Sequence, residues 1–301
     1  MPRLLKSRWT RLAGALAAFS VAGCATQPAP AENAARPAMW RVSDPDTTIY
    51  LFGTFHLLPE NFDWRTAAFE QALGSADELV MEIGDVGDQT AAAKTMMKLG
   101  ISPGLPPLAE RVPEAKRAAL AAMVKESGVP AAVLDRLETW AAALALTGVM
   151  FKRLGLSGEA GVEKSLTASY KGKGKPISGL ETTEQQLGFF DTLPEEAQRA
   201  FLVGILERPE DTRAEFDAML NAWRSGDEAA IARTFDDEAK LSPQLRDVLL
   251  TRRNARWAEW IDGRLDRPGT VFLAVGAGHL AGRDSVQAML EKRGIKAKRV
   301  Q

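Results

Sequence analysis

Val271-Phe272-Leu273-Ala274-Val275-Gly276-Ala277-Gly278-His279 is a short apolar run that closes in a glycine turn and a histidine. Ile49-Tyr50-Leu51-Phe52-Gly53-Thr54-Phe55-His56 repeats that plan near the other end of the chain. His56 and His279 are the two histidines of the sequence, so both imidazoles close a Gly-x-x-His turn after an apolar run. The runs read as strands, and glycine lets the backbone turn sharply behind each one. Chemistry in α/β folds collects where strands end and loops begin. Imidazole titrates near neutral pH and is the commonest nitrogen ligand of transition metals. The plainer reading is a pair of surface or capped loop histidines; the shared pattern favours their joint use.

Trp40-Arg41-Val42 and Thr48 to Phe52 read as strands around an Asp44-Pro45-Asp46 turn. Glu78 to Ile83 reads as a strand whose Leu79-Val80-Met81 is apolar on both faces, as in a buried parallel sheet. Helical spacing covers 64–74, 113–127, 131–154, 161–172, 183–191, 195–206, 210–223, 227–239 and 243–264, with a break at the Pro-rich 103–107. A strand at Pro176 to Leu180 interrupts them, and the chain closes with strand 270–275, helix 283–293 and strand 295–300. Strands separated by helices point to an α/β fold with α+β leaning: a mainly parallel central sheet flanked by many helices, with a large helical insert at about 109–264.

The first residues read as an address. Arg3, Lys6, Arg8 and Arg11 precede an apolar stretch, Leu12 to Gly23, too short to span a bilayer as a helix. Val21-Ala22-Gly23-Cys24 is similar to a lipoprotein lipobox, which implies cleavage of residues 1–23 and acylation of Cys24. Cys24 is the one cysteine, so no disulfide is available despite an oxidising compartment. Residues 24–38 are rich in Ala and Pro and read as a tether for a domain spanning 39–301. Ala25 after the cysteine implies the outer membrane of a bacterial envelope, with the domain facing the periplasm. Without the leader the chain carries 34 Lys and Arg against 39 Asp and Glu, a balance of −5 that suits solubility and excludes a nucleic-acid surface.

Several groups are placed to join the histidines. Glu82 ends an apolar strand, where a lone carboxylate is costly unless paired or bound to a cation; an edge strand would let it face solvent instead. Glu181 follows Ile177-Ser178-Gly179-Leu180, at a strand end or as a cap for the next helix. Glu163 lies in a helical first turn, where complementing the helix dipole is its simplest role. Arg252-Arg253-Asn254 sits on a helix with Trp257 and Trp260, either as a charged face or to hold a carboxylate or oxyanion. No His-Glu-x-x-His helix, Gly-x-Ser-x-Gly elbow or Walker A loop is present. Gly276-x-Gly278-x-x-Ala281 formally matches a dinucleotide fingerprint but lacks the acidic residue after the following strand.

Taken in order, Leu51-Phe52-Gly53-Thr54-Phe55-His56-Leu57, Glu78 to Glu82, Gly161-Val162-Glu163, Lys175 to Thr182, Ala222-Trp223-x-x-Gly226-Asp227, Arg253-Asn254-x-x-Trp257 and Val275 to Gly282 resemble the TraB/GumN family. That family includes the Tiki-type metalloproteases, and the resemblance covers nearly all of 39–301. It implies an architecture like the erythromycin esterases and haem-binding ChaN-like proteins, with His56, Glu82 and His279 at the core of the site. Glu163, Glu181, Arg253 and Asn254 fall at matching motif positions. The function it implies is a membrane-anchored, metal-dependent, peptidase-like hydrolase. His56 and His279 would be ligands with Glu82 or Glu163, a remaining Glu the base, and Arg253 the oxyanion partner. Mn, Co or Zn all suit mixed nitrogen and oxygen ligation. Two rival readings stand beside it: a metal-free His–Glu hydrolase, and a lipoprotein that binds metal, haem or peptide without turnover. The expected partners are a peptide or small-molecule substrate and, through the lipid anchor, the membrane.

Overall fold

A computed structural model describes residues 35–84, 89–156, 160–206, 209–241 and 243–301. The leader, Cys24 and residues 25–34 of the expected tether lie outside them. Residues 35–38 pack on the domain: Ala35 and Ala38 are buried, and the Arg36 N–H donates to the Arg224 carbonyl.

β1 (Met39–Ser43) and β2 (Thr47–Thr54) pair antiparallel around the expected turn, where Asp44 Oδ1 accepts the N–H groups of Asp46 and Thr47. β3 (Glu78–Ile83), β4 (Ile177–Glu181), β5 (Gly269–Gly276) and β6 (Lys298–Arg299) complete a six-stranded sheet of order β4-β3-β5-β2-β1-β6. β4, β3, β5 and β2 run parallel, and only β1 opposes its neighbours. The mainly parallel sheet read from the sequence is the one formed.

Both faces of this sheet are covered, which explains why its strands are apolar at successive positions. Phe52, Leu79, Met81, Phe272 and Ala274 pack on one face against α1 (Ala67–Ser75), α6 (Val162–Lys171), α9 (Pro209–Ser225) and α10 (Glu228–Leu241). Ile49, Leu51, Val80, Val271, Leu273 and Val275 pack on the other against α12 (Arg252–Leu265) and α13 (Val286–Lys292). α2 (Gln89–Leu99) lies against α7 (Thr183–Asp191). α3 (Arg117–Ser127), α4 (Ala131–Leu134), α5 (Thr139–Arg153) and α8 (Glu195–Gly204) enclose a separate core around Leu120, Leu134, Leu146 and Leu202.

Some element limits differ from the sequence reading. α2 was not expected. The helix read at 131–154 is broken between α4 and α5, because buried Arg111 donates to the carbonyls of Asp135 and Leu137 and Asp135 Oδ1 accepts the Leu108 N–H. The helix read at 243–264 comprises α11 (Pro243–Arg246), a π-helical turn over Asp247–Thr251, and α12. α1 starts at Ala67 rather than Trp64, since the Thr66 side chain caps it by accepting the Phe69 N–H. α13 starts at Val286 for the same reason, with Ser285 as its cap. The last strand shrinks from 295–300 to Lys298–Arg299 at the sheet edge.

Candidate active site

β2, β3, β4 and β5 are adjacent and parallel, so their carboxyl ends share one edge, where open α/β sheets bind ligands. His56 follows the end of β2, Glu82 lies near the end of β3, Glu181 ends β4, and His279 sits in a 3-10 turn, Ala277–Leu280, directly after β5. The register pairs Thr54 with Gly276, which sets the two Gly-x-x-His turns side by side. Glu163 reaches in from the first turn of α6, and Arg253 and Asn254 from the start of α12.

Both glycines are needed for close approach, in different ways. A Cβ on Gly53 would lie 3.1 Å from the Cα and 3.2 Å from the Cβ of Ala277, so this glycine lets the two turns pack. A Cβ on Gly276 would lie 3.2 Å from Glu82 Oε1, 3.7 Å from His56 Nε2 and 3.6 Å from His279 Cδ2. Gly276 thus leaves open the point on which those three side chains converge.

Each imidazole is fixed through Nδ1. His56 Nδ1 donates to Glu163 Oε1 at 2.7 Å. Asn254 Nδ2 donates to the Asp284 carbonyl at 2.7 Å, which leaves Asn254 Oδ1 as acceptor for His279 Nδ1 at 2.6 Å. His279 therefore carries its proton on Nδ1, and its Nε2 accepts from Arg253 NH1 at 3.1 Å. Trp257 packs on the His279 ring with centroids 4.3 Å apart. Glu82 Oε1 accepts the Gly276 N–H at 2.7 Å and lies 3.8 Å from His279 Nε2. Its Oε2 accepts from Arg253 NH2 at 2.6 Å and from Gln186 Nε2 at 3.0 Å.

Glu181 does not face the cleft. It is buried, and its carboxylate takes Arg253 Nε and NH2 and the Trp257 indole N–H. Its alternative role as a helix cap is also not the observed one: Thr182 caps α7, in a capping box with Gln185. Glu163 lies behind His56 rather than beside His279, and β3 is an interior strand, so Glu82 does not face solvent from an edge. Gln186, whose contact with Glu82 crosses from α7, carries no signal in the sequence.

The charges follow from these partners. Burial works against the Glu82 carboxylate, but the charges of His279, Arg253 and His56 and the Gly276 N–H outweigh it and lower its pKa to about 2. Burial pushes His279 down to about 3, with Glu82 only partly opposing, so the ring is neutral at pH 7 and the positive charges that act on Glu82 there are those of Arg253 and His56. At His56 desolvation is outweighed by Glu163, and the pKa is raised from 6.5 to about 9; the side chain is 66% exposed, so water screens part of this pull. Burial opposes ionisation of Glu163 too, yet His56 holds its pKa below the ordinary value.

A cleft of about 230 Å³ opens over the site, lined in part by His56, Glu82, Ile83, Glu163 and Lys164. The donor types near the Glu82 carboxylate, two imidazoles and a carboxylate oxygen, suit a divalent cation, and each histidine has the hydrogen-bonded Nδ1 that metal-binding histidines need. Among the described residues, no three His, Cys, Asp or Glu side chains are gathered closely enough to hold a metal as they stand. The lone pair of His279 Nε2 is taken up by Arg253.

The fold and site define an α/β domain with a polar, titratable cluster at the carboxyl edge of a mainly parallel sheet. The chain belongs to the TraB/PrgY/gumN family, whose model matches residues 38–299. It is similar to an uncharacterized protein of Treponema pallidum (strain Nichols), 23% identical over 275 residues that cover 84% of this chain and 80% of the relative. No solved structure matches it. Among the described residues, no helix is long and apolar enough to cross a membrane.

Proposed function

We propose that the chain is a hydrolase, metal-dependent and peptidase-like, that activates water where His56, Glu82 and His279 converge over Gly276. One observation supports this reading: both imidazoles are held at Nδ1, by Glu163 and by Asn254, which turns both Nε2 atoms towards Glu82 Oε1, with that of His279 engaged by Arg253. His56, His279 and Glu82 would hold a divalent ion of the Mn, Co or Zn type. When bound, such an ion lowers the pKa of water and polarises a carbonyl. Glu163 keeps His56 oriented, Asn254 fixes the His279 tautomer, and Glu82 is the ionised oxygen nearest the convergence point. Substrate enters through the cleft, whose open side is that of His56.

A metal-free His–Glu hydrolase is the second reading, favoured by the guanidinium that already neutralises Glu82. There the Glu163-backed His56 is the base, active once it has lost its proton. We also propose that Cys24 carries a lipid that anchors the domain to the bacterial envelope facing the periplasm, as the lipobox-like Val21 to Cys24 supports. The test of function is a peptide library digested by the full-length chain with and without a chelator. Cleavage abolished by chelation and restored by Mn, Co or Zn is the expected result. Cleavage that survives chelation selects the metal-free reading, and no cleavage by chain of confirmed metal content contradicts both. Labelling with an alkyne fatty acid, lost in Cys24→Ala, tests the anchor.

A further inference from the structure

The cleft over the site is lined by two kinds of residue, and the polar kind accounts for only part of it. On β5, Phe272, Ala274 and Gly276 are alternate residues, so they share one side of the strand, and they shrink towards its carboxyl end. Phe272 and Ala274 are buried in the core of that face, and Ala274 also lines the cleft. On β3, Leu79 and Met81 pair with Phe272 and Ala274 and belong to the same core, and Ile83 follows them in the alternation. Met81 and Ile83 both line the cleft. Ile83 is half-buried, and among the described residues it joins neither core of the sheet. The apolar face of the sheet thus continues past its own core and forms the floor of the cleft.

We propose that this floor is a side-chain subsite: Met81, Ile83 and Ala274 receive one aliphatic side chain of the substrate, of the size of leucine or methionine, while the reacting group lies against His56 and Glu82. The inference deepens the hydrolase reading above and rests on it in either form, with or without a cation. Size sets the first limit. The cleft holds about 230 Å³, below the roughly 300–1,000 Å³ of pockets that enclose a whole drug-sized ligand. It takes one side chain and the atoms beside it, and the rest of a longer substrate stays outside. The lining sets the second. Three apolar side chains give an amide or a charge no strong partner, so a polar side chain would lose its water there without compensation. The carboxylates beside the floor do not select a basic side chain either, because both are engaged. Glu163 is held by His56, and Glu82 by the Gly276 N–H, Arg253 and Gln186. A glycine or alanine side chain would leave most of the floor uncovered, and each methylene buried there raises affinity about threefold to fourfold.

Binding tests the subsite separately from turnover. Full-length chain with isotope-labelled methionine and isoleucine methyl groups is titrated, under NMR, with the N-acetyl amides of glycine, alanine, leucine, methionine and lysine. The leucine and methionine amides are expected to move the Met81 and Ile83 methyl signals and to bind about 10- to 50-fold more tightly than the alanine amide. Ala274→Leu, which fills the floor, is expected to abolish that preference. Should Ala274→Leu fail to fold, Ile83→Ser at the strand end decides, lowering affinity for the leucine amide by about threefold to tenfold. Equal binding of all five amides, tightest binding of the lysine amide, or no shift at either methyl overturns the subsite and leaves the hydrolase reading to the peptide library. Preferred binding of the leucine amide, with no library peptide cleaved, keeps the subsite as a ligand site and removes the hydrolase reading.

Discussion

The two Gly-x-x-His turns share a sequence plan and lie side by side on neighbouring parallel strands, yet they present opposite imidazoles. The His56 side chain is 66% exposed, is held by a carboxylate, and has a raised pKa. The His279 side chain is 7% exposed, is held by a neutral amide, and has a lowered pKa. A motif of this kind places a ring; the partner on Nδ1 and the access of water decide its charge. Those partners come from α6 and α12, far from either turn in sequence.

The largest expected effect is on turnover. His56→Ala or His279→Ala lowers kcat by about 10²- to 10⁴-fold, with the fold kept by circular dichroism. External imidazole restores part of the rate to His56→Ala, whose site opens on the cleft, and none to His279→Ala, whose ring is buried. Equal rescue of both would erase the distinction between open and closed turns.

The two glycines separate an effect on the site from an effect on packing. Gly276→Ala places a methyl among Glu82, His56 and His279 and is expected to cut turnover by about 10- to 100-fold while the melting temperature moves little. Gly53→Ala collides with Ala277 instead, so it costs stability, about 1–3 kcal/mol, and changes turnover less. The reverse pattern would mean that the site is not centred on Gly276.

A smaller effect appears in the pH dependence of stability in metal-stripped chain. His279 in the folded state stays unprotonated to about pH 3, whereas the unfolded chain takes up a proton near 6.5. Its contribution to stability is therefore lost as pH falls from 6.5 towards 3, on the order of a few kcal/mol. Glu82 adds to the acid limb, with stability present above 4.5 and lost as pH falls towards 2. His56 has the opposite sign: its stabilisation is complete below 6.5 and is lost as pH rises through 9, by a small amount because the ring is exposed. Melting temperature against pH in His279→Gln should flatten the acid limb, and Glu163→Gln the alkaline one. An unchanged acid limb in His279→Gln would contradict the neutral buried ring.

What the sequence could convey depended on how local the cause was. β3 was legible to the residue, because Glu78 to Ile83 carries its own apolar pattern, and α7 because Thr182 and Gln185 cap it locally. The break at 135–138 was not, because it is made by Arg111, distant in sequence and buried among carbonyls. α2 escaped because Gln89–Leu99 has alanines at 91–93 and no clear apolar stripe. The same division holds in the site. His56, Glu82 and His279 could be picked out from their strand ends, but not that Glu163 stands behind His56, that Glu181 and Arg253 form a buried clamp, or that Gln186 supports Glu82. Those contacts join elements that only the parallel sheet order brings together.

The most direct test of the account is elemental analysis of the purified chain beside a His56→Ala/His279→Ala variant of confirmed fold. Near-stoichiometric Mn, Co or Zn is expected in the parent and none in the variant. A parent that holds no metal after reloading, or a variant that holds as much as the parent, would contradict the claim that the two turns build one cation site.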